Sequence, residues 1–343
     1  MIGLTVTKVI EETPDTNTYV FETTGKEPFS YKAGQFITLM FNRNGNEVRR
    51  SYSMSSAPAF DDHTAFTVKR VPNGDISRYL LLNLNKGSTL ISLEAAGRFT
   101  FDADESASRD IYLIAAGSGI TPVYSILKEI LQTTKTNHVK LFLQNRDERS
   151  VIFNDSLHLL ETKFERNFKF WNYLSGPIDT HKPSRRLNNE ILERLISREM
   201  NFRSDRALFY ICGPLAFMRM AEFTIRRMGF SPEQIKKENF DVPRLPPPSF
   251  MIDENPRSII LSRQKSTKIL SVRYPSSILD AALSNNINIP FSCKAGICGS
   301  CVVKCTSGEV KMKYNDVLTE QEVTDGLVLT CVGYAVTDIV LDL

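Results

Sequence analysis

The chain has 343 residues, with the apolar and charged fractions of a globular protein and a formal net charge of +3. That length calls for two or three domains. The near-neutral charge, with no basic run or basic-aromatic stripe, speaks against nucleic acid as a partner. No apolar run approaches the ~18 residues of a membrane span, so no transmembrane segment is expected. Met1 to Glu12 lacks the pattern of a signal peptide, so a cytoplasmic, monomeric protein with reduced thiols is expected.

Residues 1–104 read as short β segments separated by turns. Leu4, Val6, Val9 and Ile10 mark the first strand, and Thr18–Thr23, Gln35–Phe41, Val48–Ser53, Ala65–Arg70 and Thr89–Leu93 follow. The only helical stretch among them is Ser77–Leu84. Such a series predicts a small antiparallel β-barrel. Arg50-Ser51-Tyr52-Ser53 closes one strand, and alternation sends Arg50 and Tyr52 to one face. A cation for a pyrophosphate, a ring to stack on an isoalloxazine and a hydroxyl for its edge are what a flavin dinucleotide needs. Gly34-Gln35-Phe36 and Val68-Lys69-Arg70 are weaker candidates for the same site. Gly74-Asp75-Ile76-Ser77 leads into the helix, where free N–H groups suit phosphate. Asp75 or Ser77 is equally suited to cap that helix.

From residue 105 to 240 the rhythm becomes strand, loop, helix. Ile111–Ala115, Val139–Leu143, Phe168–Leu174 and Ala207–Cys212 are the strands, and 122–132, 155–164, 188–197 and 215–228 the helices. This predicts an α/β domain with a parallel sheet and helices on both faces. Ala115–Pro122 carries Gly117, Gly119 and Thr121 across a strand-to-helix junction. Cys212-Gly213-Pro214 occupies a second such junction. Two loops of this kind at one sheet edge make a crevice for a dinucleotide. The second strand ends in Asn145-Arg146, with no acidic residue at its end for a ribose 2′-OH. Arg146, Arg149 and Ser150 suit a 2′-phosphate, whereas Asp147 and Glu148 oppose one. The balance favours NADPH over NADH.

Residues 241–258 hold Pro243, Pro246, Pro247, Pro248 and Pro256 and read as a semi-rigid linker. After it, five of the six cysteines fall within the last 51 residues. Cys293, Cys298, Cys301 and Cys331 follow the spacing C-x4-C-x2-C…C, which is that of a plant-type [2Fe–2S] cluster. Gly296 and Gly299 supply the dihedrals of a loop wrapped around a cluster. Ser292, Ala295 and Ser300 leave room for N–H groups to approach the sulfurs. Zinc is the rival metal, but it favours repeated C-x2-C pairs, and only one is present. Cys305 reads as a small buried hydrophobe.

Residues 259–343 resemble a plant-type ferredoxin domain of the β-grasp, α+β kind, with a helix at Ser276–Asn285 before the cluster loop. Eight Lys/Arg balance eight Asp/Glu here, unlike the acidic free ferredoxins; a tethered domain needs little steering. Residues 1–240 resemble the ferredoxin-NADP reductase superfamily, because Arg50–Ser53, Gly74–Ser77, Gly117–Pro122 and Cys212–Pro214 stand in that family's order. The resemblance implies FAD, with Arg50 and Ser77 at its pyrophosphate. Tyr52 and Ser53 would sit at its isoalloxazine, with Val68, Arg70 and Gly74 nearby. It implies a nicotinamide nucleotide at Gly119, Thr121, Cys212 and Gly213, with Glu238 and Phe240 closing the module beside the flavin. Ser53, Cys212 and Glu238 are then the expected catalytic groups. The order of modules is similar to that of reductases serving phenylacetyl-CoA epoxidase and ketosteroid and alkane hydroxylases. That implies electron transfer from NAD(P)H through FAD and the cluster to an oxygenase, hydroxylase or desaturase. A stand-alone diaphorase and a redox sensor are the other readings.

Overall fold

A computed structural model describes every residue except 26–27, 103–107, 182, 242–249, 251–252 and 264–265. The chain divides into two compact units, Met1–Phe240 and Asp241–Leu343. The prolines expected to form the linker, Pro256 apart, lie outside the described residues. Strand structure resumes at Arg257, two residues before the expected domain edge.

In the first unit, β1 (Ile2–Thr13), β2 (Thr16–Thr23), β3 (Phe36–Arg43), β4 (Asn46–Ser53), β5 (Thr64–Lys69) and β6 (Thr89–Ser92) form one antiparallel sheet in the order β4-β3-β6-β1-β2-β5. A bridge between Met54 and Phe66 brings the two edge strands together and curls the sheet into a barrel. Alternate residues Leu4, Val6, Tyr19, Phe21, Ile37 and Leu39 fill its interior. Among the described residues of this region there is one helix, α1 (Asp75–Asn83), which seals the barrel through Ile76 and Leu80. It starts earlier than its periodicity suggests. Neither Asp75 nor Ser77 caps it: Gly74 is the N-cap, without a side-chain bond.

The second half of the unit is a parallel sheet. Its strands are β7 (Asp110–Ala116), β8 (His138–Asn145), β9 (Phe168–Leu174), β10 (Ala207–Cys212) and β11 (Ile235–Glu238), in the order β11-β10-β7-β8-β9. β7, buried along its whole length, is the centre. Helices α2 (Ile120–Thr133) and α3 (Asn154–Lys163) cover one face, and α4 (Asn189–Arg198) and α5 (Leu215–Arg227) the other. A parallel sheet covered in this way reads as continuous apolar runs, which is why its central strands are legible in the sequence. β11 was not expected as a strand, since Lys236 and Lys237 break its apolar character. As an edge strand it needs only one buried flank.

Barrel and sheet are welded by buried polar contacts. Gly34 N–H donates to Ser125 Oγ at 3.2 Å, and Ser125 donates on to the Ser56 carbonyl. Lys128 and Asp61 form an ion pair whose side chains are 5 % and 11 % exposed. Tyr210 Oη and Lys236 Nζ both donate to the Thr100 carbonyl, at 3.3 and 2.7 Å.

In the second unit, β12 (Arg257–Arg263), β13 (Ser266–Val272), β14 (Val302–Ser307), β16 (Leu327–Leu329) and β18 (Ile339–Asp342) form a mixed sheet in the order β13-β12-β18-β14-β16. The pair β15 (Val310–Met312) and β17 (Gly333–Ala335) stands apart from it. Helix α6 (Ile278–Ser284) packs Ile278, Leu279, Ala281 and Ala282 into the core, and Ser277 Oγ caps it by accepting from Asp280 N–H. A short helix, α7 (Glu320–Thr324), opens on a capping box from Thr319 and Glu322. This is the β-grasp arrangement expected. No helix among the described residues is long and apolar enough to cross a membrane.

Candidate functional site

The cluster loop runs from Cys293 to Cys301, between α6 and β14. Its turns are made by Gly296 and Gly299, at φ +75° and +72°, as their place in the motif suggests. A Cβ at Gly296 would stand 2.8 Å from the Tyr314 carbonyl oxygen, so only glycine fits there. Asp316 N–H donates to the Gly296 carbonyl at 3.1 Å and holds the loop from behind. Cys331 follows β16 by one residue, Thr330. Thr330, fully buried, donates both its N–H and its hydroxyl to the Cys301 carbonyl, at 3.2 and 3.0 Å. This pair of hydrogen bonds pins the fourth cysteine beside the third. The Cys293 thiol interacts with those of Cys298 and Cys331, and the Cys301 thiol with that of Cys331. Ala295 N–H donates to Cys293 Sγ at 3.3 Å, and Ser300 Oγ lies 3.4 Å from Cys298 Sγ. Three soft thiols in one loop and a fourth pinned beside the third, with a backbone N–H already aimed at one sulfur, fit a [2Fe–2S] cluster. None of the six cysteines is in a disulfide. Cys305 stays out of the group; it packs against the core with its thiol directed to the Ser307 carbonyl.

The flavin candidates lie on β4 and at the start of α1. Arg50 is exposed on β4, and Tyr52 is half-buried against Phe66, with ring centroids 6.0 Å apart. Burial pushes the Tyr52 hydroxyl far above its ordinary range, so the ring stays neutral. Ser77 Oγ accepts from Val71 N–H at 3.1 Å, folding the loop before α1. Its own proton is donated to the Gly74 carbonyl at 3.5 Å. An exposed guanidinium and a helix N-terminus without a side-chain cap fit a pyrophosphate. The Val68 side chain is wholly inside the barrel core. Arg70 keeps its side chain exposed and donates its N–H to the Asp15 carbonyl at 2.8 Å.

The two halves of the first unit meet at Ser53. Its hydroxyl donates to Glu238 Oε2 at 3.2 Å, across 185 residues of chain. Glu238 ends β11 in register with Cys212 at the end of β10, so the three expected catalytic residues converge. Burial, against the opposing pull of the Ser53 bond, pushes the Glu238 carboxyl up to about 8. Burial and the neighbouring Glu238 also push the Cys212 thiol up. Cys212 is fully buried and packs in the sheet core with Ala115 and Ile120. Phe240, in contrast, is 43 % exposed. Gly119 sits where the two strand-to-helix loops touch, since a Cβ there would lie 2.2 Å from the Cys212 carbonyl oxygen. Gly213 packs against Ala116, where a Cβ would meet its side chain at 3.0 Å. Thr121 is buried in the first turn of α2.

A cavity of about 540 Å³ opens at this carboxyl edge. Ala116, Gly117, Pro214 and Phe217 line one end, and Gln144, Arg146, Ser150, Ser175 and Arg186 the other. Arg146 and Ser150 were expected there. Ser150 is tied into a turn by donating to the Asp147 carbonyl at 2.7 Å. Ser175 and Arg186 were missed, because they follow β9 in a loop with no motif of its own.

Three family descriptions match in chain order: an oxidoreductase FAD-binding domain over residues 3–101, an oxidoreductase NAD-binding domain over 113–222 and a 2Fe-2S iron-sulfur cluster binding domain over 262–336. The chain is 33 % identical to the ferredoxin reductase component of 3-ketosteroid-9-alpha-monooxygenase from Mycolicibacterium smegmatis, over 98 % of this chain and 95 % of that one. It is 31 % identical to a component of 1,2-phenylacetyl-CoA epoxidase from Escherichia coli K12, over 99 % and 97 %. Among solved structures, phthalate dioxygenase reductase shares the fold over 99 % of this chain and 97 % of that one, with a TM-score of 0.59 at 20 % identity. The chain therefore belongs to the three-domain reductase components of oxygenase systems, oxidoreductases that take electrons from a nicotinamide nucleotide through FAD to a [2Fe–2S] cluster.

Proposed function

We propose that residues 1–104 hold FAD, residues 105–240 hold NADPH, and residues 259–343 hold the cluster, with residues 241–258 as the tether. The electron acceptor is an oxygenase, hydroxylase or desaturase component, a reading supported by the kind of protein the relatives are. In this reading Arg50, Ser77 and the Gly74 end of α1 take the pyrophosphate, and Tyr52 lies against the isoalloxazine. Gly119, Thr121 and Gly213 shape the nucleotide site, and Cys293, Cys298, Cys301 and Cys331 hold the irons. When bound, the flavin turns a two-electron hydride donor into the single electrons that the cluster relays.

The observation that carries this reading is the Ser53–Glu238 bond. It fixes the flavin end of the barrel against the nucleotide end of the sheet. Because burial favours the protonated form of Glu238, the pair favours a proton over a negative charge where an electron-rich ring must sit. Ser53 then orients the ring edge, and the Cys212 backbone sets the depth of the nucleotide loops. Lack of a 2′-OH acceptor at the end of β8 and the cations of the cavity support NADPH. Cys212 and Cys305, the two cysteines outside the cluster set, are in no disulfide, which suits a reducing compartment.

Ser53→Ala tests the catalytic part. Stopped-flow flavin reduction by NADPH should slow by about tenfold or more, while the equilibrium affinity for NADP+ holds. An unchanged reduction rate would remove Ser53 from the reaction.

A further inference from the structure

One ring of the tether segment is fastened to the second unit close to the cluster ligands. Phe250 is half-buried and meets Tyr334 edge-on, with ring centroids 6.3 Å apart and planes at 65°. Tyr274, two residues after β13, supports Tyr334 from another side at 5.6 Å. Tilted and edge-on rings at these separations attract one another beyond the apolar area they bury. Tyr334 is the middle residue of β17 and follows the cluster ligand Cys331 by three residues. Three residues span at most about 11 Å, so the ring that receives Phe250 stands close to the fourth ligand. A second tie lies between Phe250 and the first strand. Arg257 Nη2 donates to Asp253 Oδ2 at 2.6 Å, and Asn255 N–H to Asp253 Oδ1 at 3.0 Å.

The sheet topology gives these ties a purpose. β12 starts at Arg257 and runs parallel to β18, with Ile260 beside Val340. β14 runs antiparallel to β18, with Ser307 beside the same Val340. Arg257 therefore lies at the Ser307 end of the sheet. Cys301 precedes the opposite end of β14, six residues from Ser307, which is about 20 Å at the rise of a strand. A tether that left the second unit at Arg257 would leave it at the end remote from the cluster. Fastened on Tyr334, it leaves on the side of Cys331. The anchor also shortens the connection. Phe250 is the tenth residue after Phe240, where the first unit ends, and Arg257 is the seventeenth. Effective concentration falls roughly as the −3/2 power of tether length, so the longer connection costs about twofold before orientation is counted.

We propose that Phe250, seated on Tyr334 and Tyr274, is a positioning residue for the passage of electrons from flavin to cluster. It anchors the tether beside Cys331 and so turns the cluster end of the second unit toward its donor more often than a tether leaving at Arg257 would. The proposal rests on the reading of residues 241–258 as a tether and of the flavin as the donor to the cluster.

The test follows electron arrival at the cluster of the FAD- and cluster-loaded full chain, after a laser flash that reduces the flavin through a photoexcited deazaflavin and leaves the nucleotide step out. Phe250→Ala should slow the arrival by about threefold or more. The EPR spectrum of its reduced cluster and the rate of its flavin reduction by NADPH should stay those of wild type. Phe250→Tyr keeps a ring at the anchor and should restore the arrival rate. An unchanged arrival rate in Phe250→Ala would overturn the anchor. An altered EPR spectrum would assign Phe250 to the surroundings of the cluster, and so overturn the positioning role. A wild type whose flavin is reduced while its cluster stays oxidised would overturn the flavin-to-cluster reading itself.

Discussion

The cluster loop and the flavin–nucleotide site solve the same problem, holding a redox group, in opposite ways. Three of the four cluster cysteines come from nine consecutive residues, and the fourth is pinned to them by Thr330. The flavin–nucleotide site depends on Ser53 and Glu238, which are 185 residues apart and belong to different sheets. A local site stands or falls with its ligands. A distributed site stands or falls with the weld between its halves, so damage far from the chemistry should reach it. Substitutions that break one site should leave the other measurable.

Cys331→Ser should have the largest effect. Cluster absorbance and iron content should fall, and electron delivery to a one-electron protein acceptor should be lost. NADPH-driven reduction of a small dye by the flavin should persist. Loss of the dye reaction as well would show that the two sites are not independent.

Lys128→Met should come next. It leaves Asp61 buried without its partner, and removing one member of a buried pair costs about 3–5 kcal/mol. Thermal unfolding followed by flavin release should shift down strongly, with the cluster signal little moved. A small shift would mean that the pair is not part of the weld.

Gly119→Ala sharpens the same point at one atom. The added Cβ would press on the Cys212 carbonyl, and overpacking of this kind costs about 1–3 kcal/mol. The loops must part, so NADP+ affinity should fall while FAD content holds. On the cluster side the matching change is milder. Thr330→Val removes one of two bonds to the Cys301 carbonyl, worth about 1 kcal/mol, and should speed cluster loss in a chelator without preventing assembly.

A further difference between the two regions is in pH dependence. The folded carboxyl of Glu238 lies above its unfolded range, so its stabilising contribution is present below that range and is lost as pH rises toward about 8. Unfolding of the flavin unit should therefore become easier across that window in wild type, and Glu238→Gln should flatten the slope.

These two regions also differ in how far the sequence reveals them. The cysteine spacing and the two loop glycines identify the cluster, because ligand geometry is written in consecutive residues. The apolar runs of β7, β8 and β10 mark the parallel sheet, since a strand buried on both faces has no polar alternation to hide it. Arg50, Tyr52 and Ser53 are legible as one short motif. What stays hidden is pairing at a distance. Lys128 meeting Asp61, Thr330 meeting Cys301 and Gln144 meeting the Leu187 N–H are set by tertiary packing, and none leaves a local pattern. The cap of α1 escapes a sequence reading for a related reason: Ser77 spends its hydroxyl oxygen on the Val71 N–H of the preceding loop instead of the helix end. Val68 is drawn toward the cofactor by its neighbours in sequence, whereas strand alternation turns its side chain into the barrel.

The central claim is that electrons enter at the distributed site and leave from the local one. Anaerobic titration of the FAD- and cluster-loaded protein with NADPH, followed by visible absorbance, tests it most directly. Bleaching of the flavin band and of the cluster bands within the same titration is the expected result. A flavin that bleaches while the cluster stays oxidised would contradict it.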